Sequence, residues 1–276
     1  MGIATVISLC CWQFSHFVLT TQIIALLILK WMKIIPNDLY KCIFKVHGWS
    51  ILITMGISDG FPLLYSLYCY LLLVSNVISL TEKLTRCMGR KLQTIFEIVF
   101  TIACTVYLKS LSTSLSEDNA HVFDLLKAKL TGYKDFHTML YTCSPEFSFL
   151  QYRSYEVIIK TLLLPSAIMA GILVMYFWCR NYRIKGYPKC IEADLAYNGL
   201  QTGAFIIMAV FIMRLKLFMN PHLCIISGIV CANRYLEKLG LKKEMTKTAI
   251  TLLLISAMSY HGLERLHEER SIIGNY

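Results

Sequence analysis

The chain has 276 residues, 56% of them apolar and only 16% charged, yet its formal net charge is +10. Soluble domains carry about 25% charged residues, so there is too little charge here to cover a water-facing surface. Disorder, a disulfide-knit secreted module and an ordinary soluble enzyme are disfavoured together, and an apolar, basic chain reads as a polytopic membrane protein.

A spanning helix needs about 20 mostly apolar residues. The first candidate runs from Val6 to Met32; it has no basic leader and no small-residue cleavage site, so it reads as a membrane helix and not a signal peptide. A weaker run, Cys42 to Ser58, is interrupted by Lys45 and His47. Ser58-Asp59-Gly60-Phe61-Pro62 then predicts a turn, with Asp59 as turn former. Further runs follow at Leu63–Leu80 and Thr94–Leu111, the latter holding Glu97, whose partner the sequence does not show and which reads as structural. After the long polar segment Ser112–Glu156, apolar runs return at Val157–Trp178, Leu195–Met213, His222–Leu236 and Thr246–Tyr260. The expectation is an all-α, polytopic transmembrane bundle of about eight spans. Residues 1–111 hold four of them, 112–156 form a loop with a short interfacial helix, 157–260 hold four more and 261–276 form a tail. The apolar residues come in runs and do not alternate, so no β-barrel is implied.

Cations cluster in every second connection. Lys33, Lys41 and Lys45 follow the first span; Lys83, Arg86, Arg90 and Lys91 follow the third. Arg180, Arg183, Lys185 and Lys189 follow the fifth, and Arg234, Lys238, Lys242, Lys243 and Lys247 the seventh. The positive-inside rule makes these four loops cytosolic. The opposite, lumenal or extracellular side then holds the Asp59 turn, the 112–156 loop, the Arg214–Pro221 connection and the tail. Cations in short groups between apolar runs set orientation and do not form a nucleic-acid-binding face. The eleven cysteines lie mostly in apolar stretches without paired C-x-x-C spacing, so neither a zinc site nor a disulfide framework is expected.

Long loops on a rigid scaffold tend to carry function. Glu117 and Asp118 precede Ala120–Leu130, where Val122, Leu125, Leu126 and Leu130 recur at helical spacing. One of the two acids suits a helix cap. Asp118 with His121 also suits a site at the membrane edge that orients a polar substrate or hydrogen-bonds a phosphate. The second feature is Met213-Arg214-Leu215-Lys216-Leu217-Phe218, followed by Pro221-His222. Lys216 suits snorkelling to headgroups. Arg214 is more pointed, because a guanidinium grips phosphate oxygens in a fork. Gln13 and His16 read as interhelical hydrogen-bonding groups. No Walker loop, dinucleotide turn, H-E-x-x-H or G-x-S-x-G occurs.

These segments resemble a known family. Asp118-Asn119-Ala120-His121, Tyr133-Lys134-Asp135-Phe136, Leu140-Tyr141-Thr142-Cys143 and Glu146-Phe147 are similar to the large lumenal loop of the Dumpy-type protein C-mannosyltransferases. So is Lys160–Pro165 at the start of the next span, and so are Ile212–Phe218 with Pro221–Cys224, and Gly2–Val6 with Trp12-Gln13-Phe14. The resemblance implies a GT-C-like glycosyltransferase of the endoplasmic reticulum membrane that takes mannose from dolichyl-phosphate mannose and joins it to C2 of tryptophan in secretory polypeptides. No metal ligand and no cofactor is assigned; the lipid-linked donor is the substrate. Arg214 is the expected donor-phosphate ligand, and Asp118, His121, Lys216 and His222 are the candidates around donor or acceptor.

The resemblance also implies members more than twice this length, with the catalytic carboxylate in a lumenal loop upstream of Gly2, so the chain is expected to be a truncated member and its catalytic residue is not assigned. Asn119 stands where the loop motif has a second acid, and the likeness decays after Cys224. The alternative classes are a heptahelical receptor, which the polar mid-chain loop disfavours, and a small transporter, which sparse intrahelical charge and the lack of equal halves disfavour.

Overall fold

The computed structural model describes residues 1–12, 15–57, 61–85, 89–113, 131, 145–185, 192–241 and 243–273. Among these residues all regular structure is helical and there is no strand, as long apolar runs require. The chain divides into two compact units, Met1–Lys127 with Glu192–Tyr197, and Ala128–Ile191 with Asn198–Tyr276.

The first unit contains α1 (Gly2–Cys11), α2 (Ser15–Trp31), α3 (Asn37–Ile57), the single turn α4 (Phe61–Leu64), α5 (Leu67–Thr85) and α6 (Arg90–Thr113). Its core is built from Ile23, Leu29, Phe44 and Tyr68, all buried. The run from Val6 to Met32 is not one helix: α1 stops at Cys11 and Trp12 is extended, with φ −147° and ψ 118°. Neither Gly nor Pro marks this break; tertiary packing makes it, because α1 lies against α3. Gly2 permits the approach, since a Cβ there would sit 3.3 Å from Val46 Cγ1, and Ser50 donates to the Gly2 carbonyl at 3.3 Å. Further along, Ser66 starts α5 as its cap: its Oγ accepts from the Cys69 N–H at 3.2 Å.

Two buried polar contacts tie these helices together. His47 Nδ1 lies 2.7 Å from Tyr68 Oη, so the histidine that interrupts the second apolar run joins α3 to α5. Glu97, which has no partner visible in the sequence, has one in the structure. Lys30 Nζ of α2 lies 3.2 Å from its Oε2, and both side chains are under one-tenth exposed. Gln93 donates to Glu97 Oε1 at 3.2 Å, and Lys30 Nζ sits 4.9 Å from the centre of the Tyr40 ring.

The second unit contains α7 (Tyr152–Lys160), α8 (Leu163–Lys185), α9 (Ala193–Phe211) from Asn198 onward, α10 (Lys216–Ser227), α11 (Asn233–Lys238) and α12 (Glu244–Ile273). The run Val157–Trp178 breaks at Leu162, a left-handed residue with φ 56°. Pro165 explains the break: without an N–H it cannot pair with the Thr161 carbonyl, and its ring would clash there. The run His222–Leu236 is likewise not one helix. α10 begins earlier, at Lys216, ends at Ser227 and is followed by a 3-10 turn (Gly228–Cys231) and α11. α10 packs along α8, and Phe177 of α8 meets Tyr235 of α11 at 5.7 Å between ring centres.

The last apolar run, Thr246–Tyr260, forms part of α12, a 30-residue helix that also takes in the polar residues behind it. Lys247 anchors its first turn: the buried Nζ donates to Glu237 of α11 and to Glu244, both at 2.7 Å. Lys247→Ala is expected to free this end of α12 with little loss of global stability, because both carboxylates are exposed. Faster hydrogen exchange confined to residues 244–250 would show it.

Among the described residues, two helical stretches are long and apolar enough to cross a membrane, Lys91–Ser112 of α6 and Leu163–Arg183 of α8. α1, α2 and Leu67–Thr81 are apolar but shorter.

Candidate functional site

The site forms where α9 ends. Phe211 is its last residue, and Ile212 turns to an extended conformation, φ −134° and ψ 105°. Met213–Leu215 then form one 3-10 turn before α10 starts at Lys216. Ile212 and Leu215 are buried, which fixes the turn from below, while Arg214 between them stays about half exposed. Apolar residues on both sides of a single cation thus place a guanidinium at the surface on a short, well-held turn.

The end of the long polar segment is laid against this turn. Ser148 accepts a hydrogen bond from the Met213 N–H at 2.9 Å, and the Leu150 N–H donates to the Val210 carbonyl at 3.1 Å. Phe149 and Phe211 lie 6.2 Å apart between ring centres. This pairing brings a second turn, Pro145–Phe147, beside Arg214. Glu146 Oε2 is 3.6 Å from Arg214 Nη1, and the guanidinium carbon stands 5.8 Å from the centre of the Phe147 ring. An arginine, an aromatic face and a carboxylate therefore share one surface patch. Of these chemistries, the guanidinium suits a phosphate, the ring suits a cation or a sugar face, and the carboxylate lies within ion-pairing distance of the guanidinium.

The other candidates are distributed around this turn or lie beyond the described residues. Lys216, half-buried, opens α10 two residues after Arg214. His222 lies inside α10: its Nδ1 is 2.9 Å from the Phe218 carbonyl and its ring is 4.7 Å from that of Phe205. Its contacts are those of a residue packing α10 against α9. Asp118 and His121, with the interfacial helix expected over Ala120–Leu130, lie outside the described residues, as do Gln13 and the Asp59 turn. Glu146 and Phe147 belong to the long polar segment, where their positions in the sequence point to no role. The acidic residue after Pro145 was the available signal, and only the fold places it at Arg214.

A cleft of about 280 Å³ elsewhere in the same unit is lined by Arg153, Glu156 and Lys160 of α7 and by His261 and Glu264 of α12. Polar groups there are paired within each helix: Glu156 with Lys160 at 2.7 Å, and His261 Nδ1 with Glu264 Oε2 at 3.2 Å. The Lys160 ammonium holds the Glu156 carboxyl below the ordinary carboxylate range. No residue predicted for the site lines this cleft.

A family model described as "Dpy19: Q-cell neuroblast polarisation" matches residues 1–276. The C-mannosyltransferase dpy-19 of Caenorhabditis elegans is 30% identical over 272 residues, which is 96% of this chain and 40% of the relative. Its Caenorhabditis briggsae counterpart is 31% identical over 284 residues, 99% of this chain and 41% of the relative. The human protein C-mannosyl-transferase DPY19L1 is 28% identical over 278 residues, 96% and 41%. The chain thus spans about two-fifths of the length of the relatives it matches.

Proposed function

Because the chain belongs to the Dpy19 family, we propose that it contributes the donor-phosphate end of a protein C-mannosyltransferase. The donor is dolichyl-phosphate mannose, and the acceptor is C2 of tryptophan in secretory polypeptides. The observation that carries this reading is Arg214. It stands half exposed on a turn held by backbone hydrogen bonds and buried neighbours, within the segment singled out for phosphate binding. In the reaction a weak carbon nucleophile attacks an anomeric carbon that carries a phosphate leaving group. A guanidinium at the departing oxygens stabilises the charge that builds there. Lys216 lies close enough in the chain to add long-range attraction, while Asp118 and His121 shape the donor or acceptor side. No metal and no cofactor besides the lipid-linked donor enter this reading.

The setting we propose is the endoplasmic reticulum membrane, with a GT-C-like bundle of about eight passes and Arg214 on the lumenal side. Supporting it, α6 presents Ile95, Val99, Ile102 and Val106 at the surface, and α8 presents Ile168, Ile172 and Met175. Helices that expose such side chains along their length suit lipid contact and not the core of a water-soluble protein. The alternation of basic loops supplies the orientation. The relatives reported above are named as mannosyltransferases, none as a receptor or a transporter.

The test is a W-x-x-W reporter expressed with this chain in cells that lack C-mannosylation. If the chain supports transfer by itself, the reporter tryptophan gains the mass of one hexose. An unmodified reporter, with donor binding by the purified chain intact, would limit its part to holding the donor. Loss of both would overturn the reading.

A further inference from the structure

We propose that Glu146 is the counter-ion that Arg214 exchanges for the donor phosphate, and that this carboxylate sets how tightly the site takes an anion. The proposal rests on the reading of Arg214 given above. The first observation is the geometry of the pair. At 3.6 Å it is longer than the 2.7–2.9 Å of a charge-assisted hydrogen bond, and the side chains are 46% and 59% exposed. A pair of this kind is worth a factor of about two to five in an equilibrium constant, so an incoming phosphate that grips the guanidinium can displace it.

The second observation is the backbone on either side. The Met213 N–H is held by the Ser148 carbonyl and the Leu150 N–H by the Val210 carbonyl. Glu146 and Arg214 therefore each project from turns fastened to one another within one or two residues. The side chains can part without the turns moving. The third is Phe147, 5.8 Å from the guanidinium carbon. Its ring keeps an attraction on Arg214 that does not depend on Glu146, so the guanidinium stays oriented when the carboxylate leaves.

The chemical consequence is a lower, tuned affinity. Every anion that reaches the guanidinium must first displace the tethered carboxylate, so the carboxylate weakens binding of each by the same factor. A lipid phosphate is further held by its chain in the membrane and still occupies the site, whereas weakly held anions leave it. No covalent step is involved.

The experiment measures binding of radiolabelled dolichyl phosphate to the full chain in lipid nanodiscs, with inorganic phosphate as competitor. E146Q and E146A are each expected to bind the lipid phosphate about two- to fivefold more tightly than the parent chain. Inorganic phosphate should bind more tightly by the same factor, and binding should become more salt-sensitive because a negative charge beside Arg214 has been removed. E146D keeps the charge and is expected to bind as the parent does; R214A and E146Q/R214A are expected to lose binding alike. If R214A loses binding while E146Q and E146A bind as weakly as the parent or more weakly, the counter-ion role is wrong and the phosphate role of Arg214 stands. Tighter binding by E146D would also overturn the counter-ion role. If R214A binds as the parent does, both are wrong.

Discussion

Arg214→Ala is expected to weaken binding of dolichyl phosphate by at least tenfold. A guanidinium makes charge-assisted hydrogen bonds to phosphate oxygens, each worth about 1.5–3 kcal/mol, and alanine replaces none of them. Arg214→Lys should recover only part of the loss, because an ammonium keeps the charge but not the planar two-pronged fork. Arg214 is half exposed on its turn, and Ile212 and Leu215 hold that turn from the buried side, so the fold should survive the change. An unaltered melting temperature together with the lost binding would assign the effect to the site. Lys216→Ala gives the contrast. If Lys216 only snorkels toward headgroups, its removal changes binding by no more than about threefold. A loss as large as that of Arg214→Ala would instead make it a direct phosphate ligand.

The largest effect on stability is expected from Glu97→Ala in the first unit. Lys30 and Glu97 are both more than nine-tenths buried and 3.2 Å apart. Removing the carboxylate leaves the Lys30 ammonium in apolar surroundings without its partner, at a cost of about 3–5 kcal/mol. For a chain of this size that corresponds to a melting temperature lower by roughly 10 °C. Replacing both, as Lys30→Met with Glu97→Leu, is expected to be close to neutral, because the buried charge is then gone from both sides. The difference between the single and the double variant is the measurement. Equal destabilisation of the two would mean that the pair contributes through packing and not through charge.

Helix content was legible in the sequence for a simple reason. A long apolar run satisfies its backbone polar groups most readily within itself, so α3, α6, α8 and α9 lie largely where the hydropathy places them. The breaks were less legible, and each for its own cause. Pro165 was a readable signal, but it fell inside the run Val157–Trp178 and its effect appears four residues earlier, at Thr161 and Leu162. At Trp12 no residue type marks the break, which accompanies the packing of α1 against α3. The run from His222 to Leu236 has the composition of a span, yet α10 starts at Lys216 and closes at Ser227 so as to pack on α8.

The site divides in the same way. Arg214 was recognisable because a lone guanidinium among apolar residues at the end of a helix is chemically conspicuous. Glu146 was visible only as one acid in a long polar segment. Its importance depends on two backbone hydrogen bonds, Met213 to Ser148 and Leu150 to Val210, between segments distant in sequence. Lys30 was hidden for a related reason: at the end of an apolar run it looked like one more cation, whereas α2 and α6 bring it to Glu97.

By itself, then, the amino-acid sequence determined that this is a helical, apolar, basic chain and where its cations stand along it. Those properties follow from residue type and spacing, which act locally. Tertiary structure alone decided the break after Cys11, which no residue type marks, and which charges are neighbours. Both depend on close approach between distant segments, and the energy of an ion pair is set by separation and burial, neither of which a linear order of residues contains.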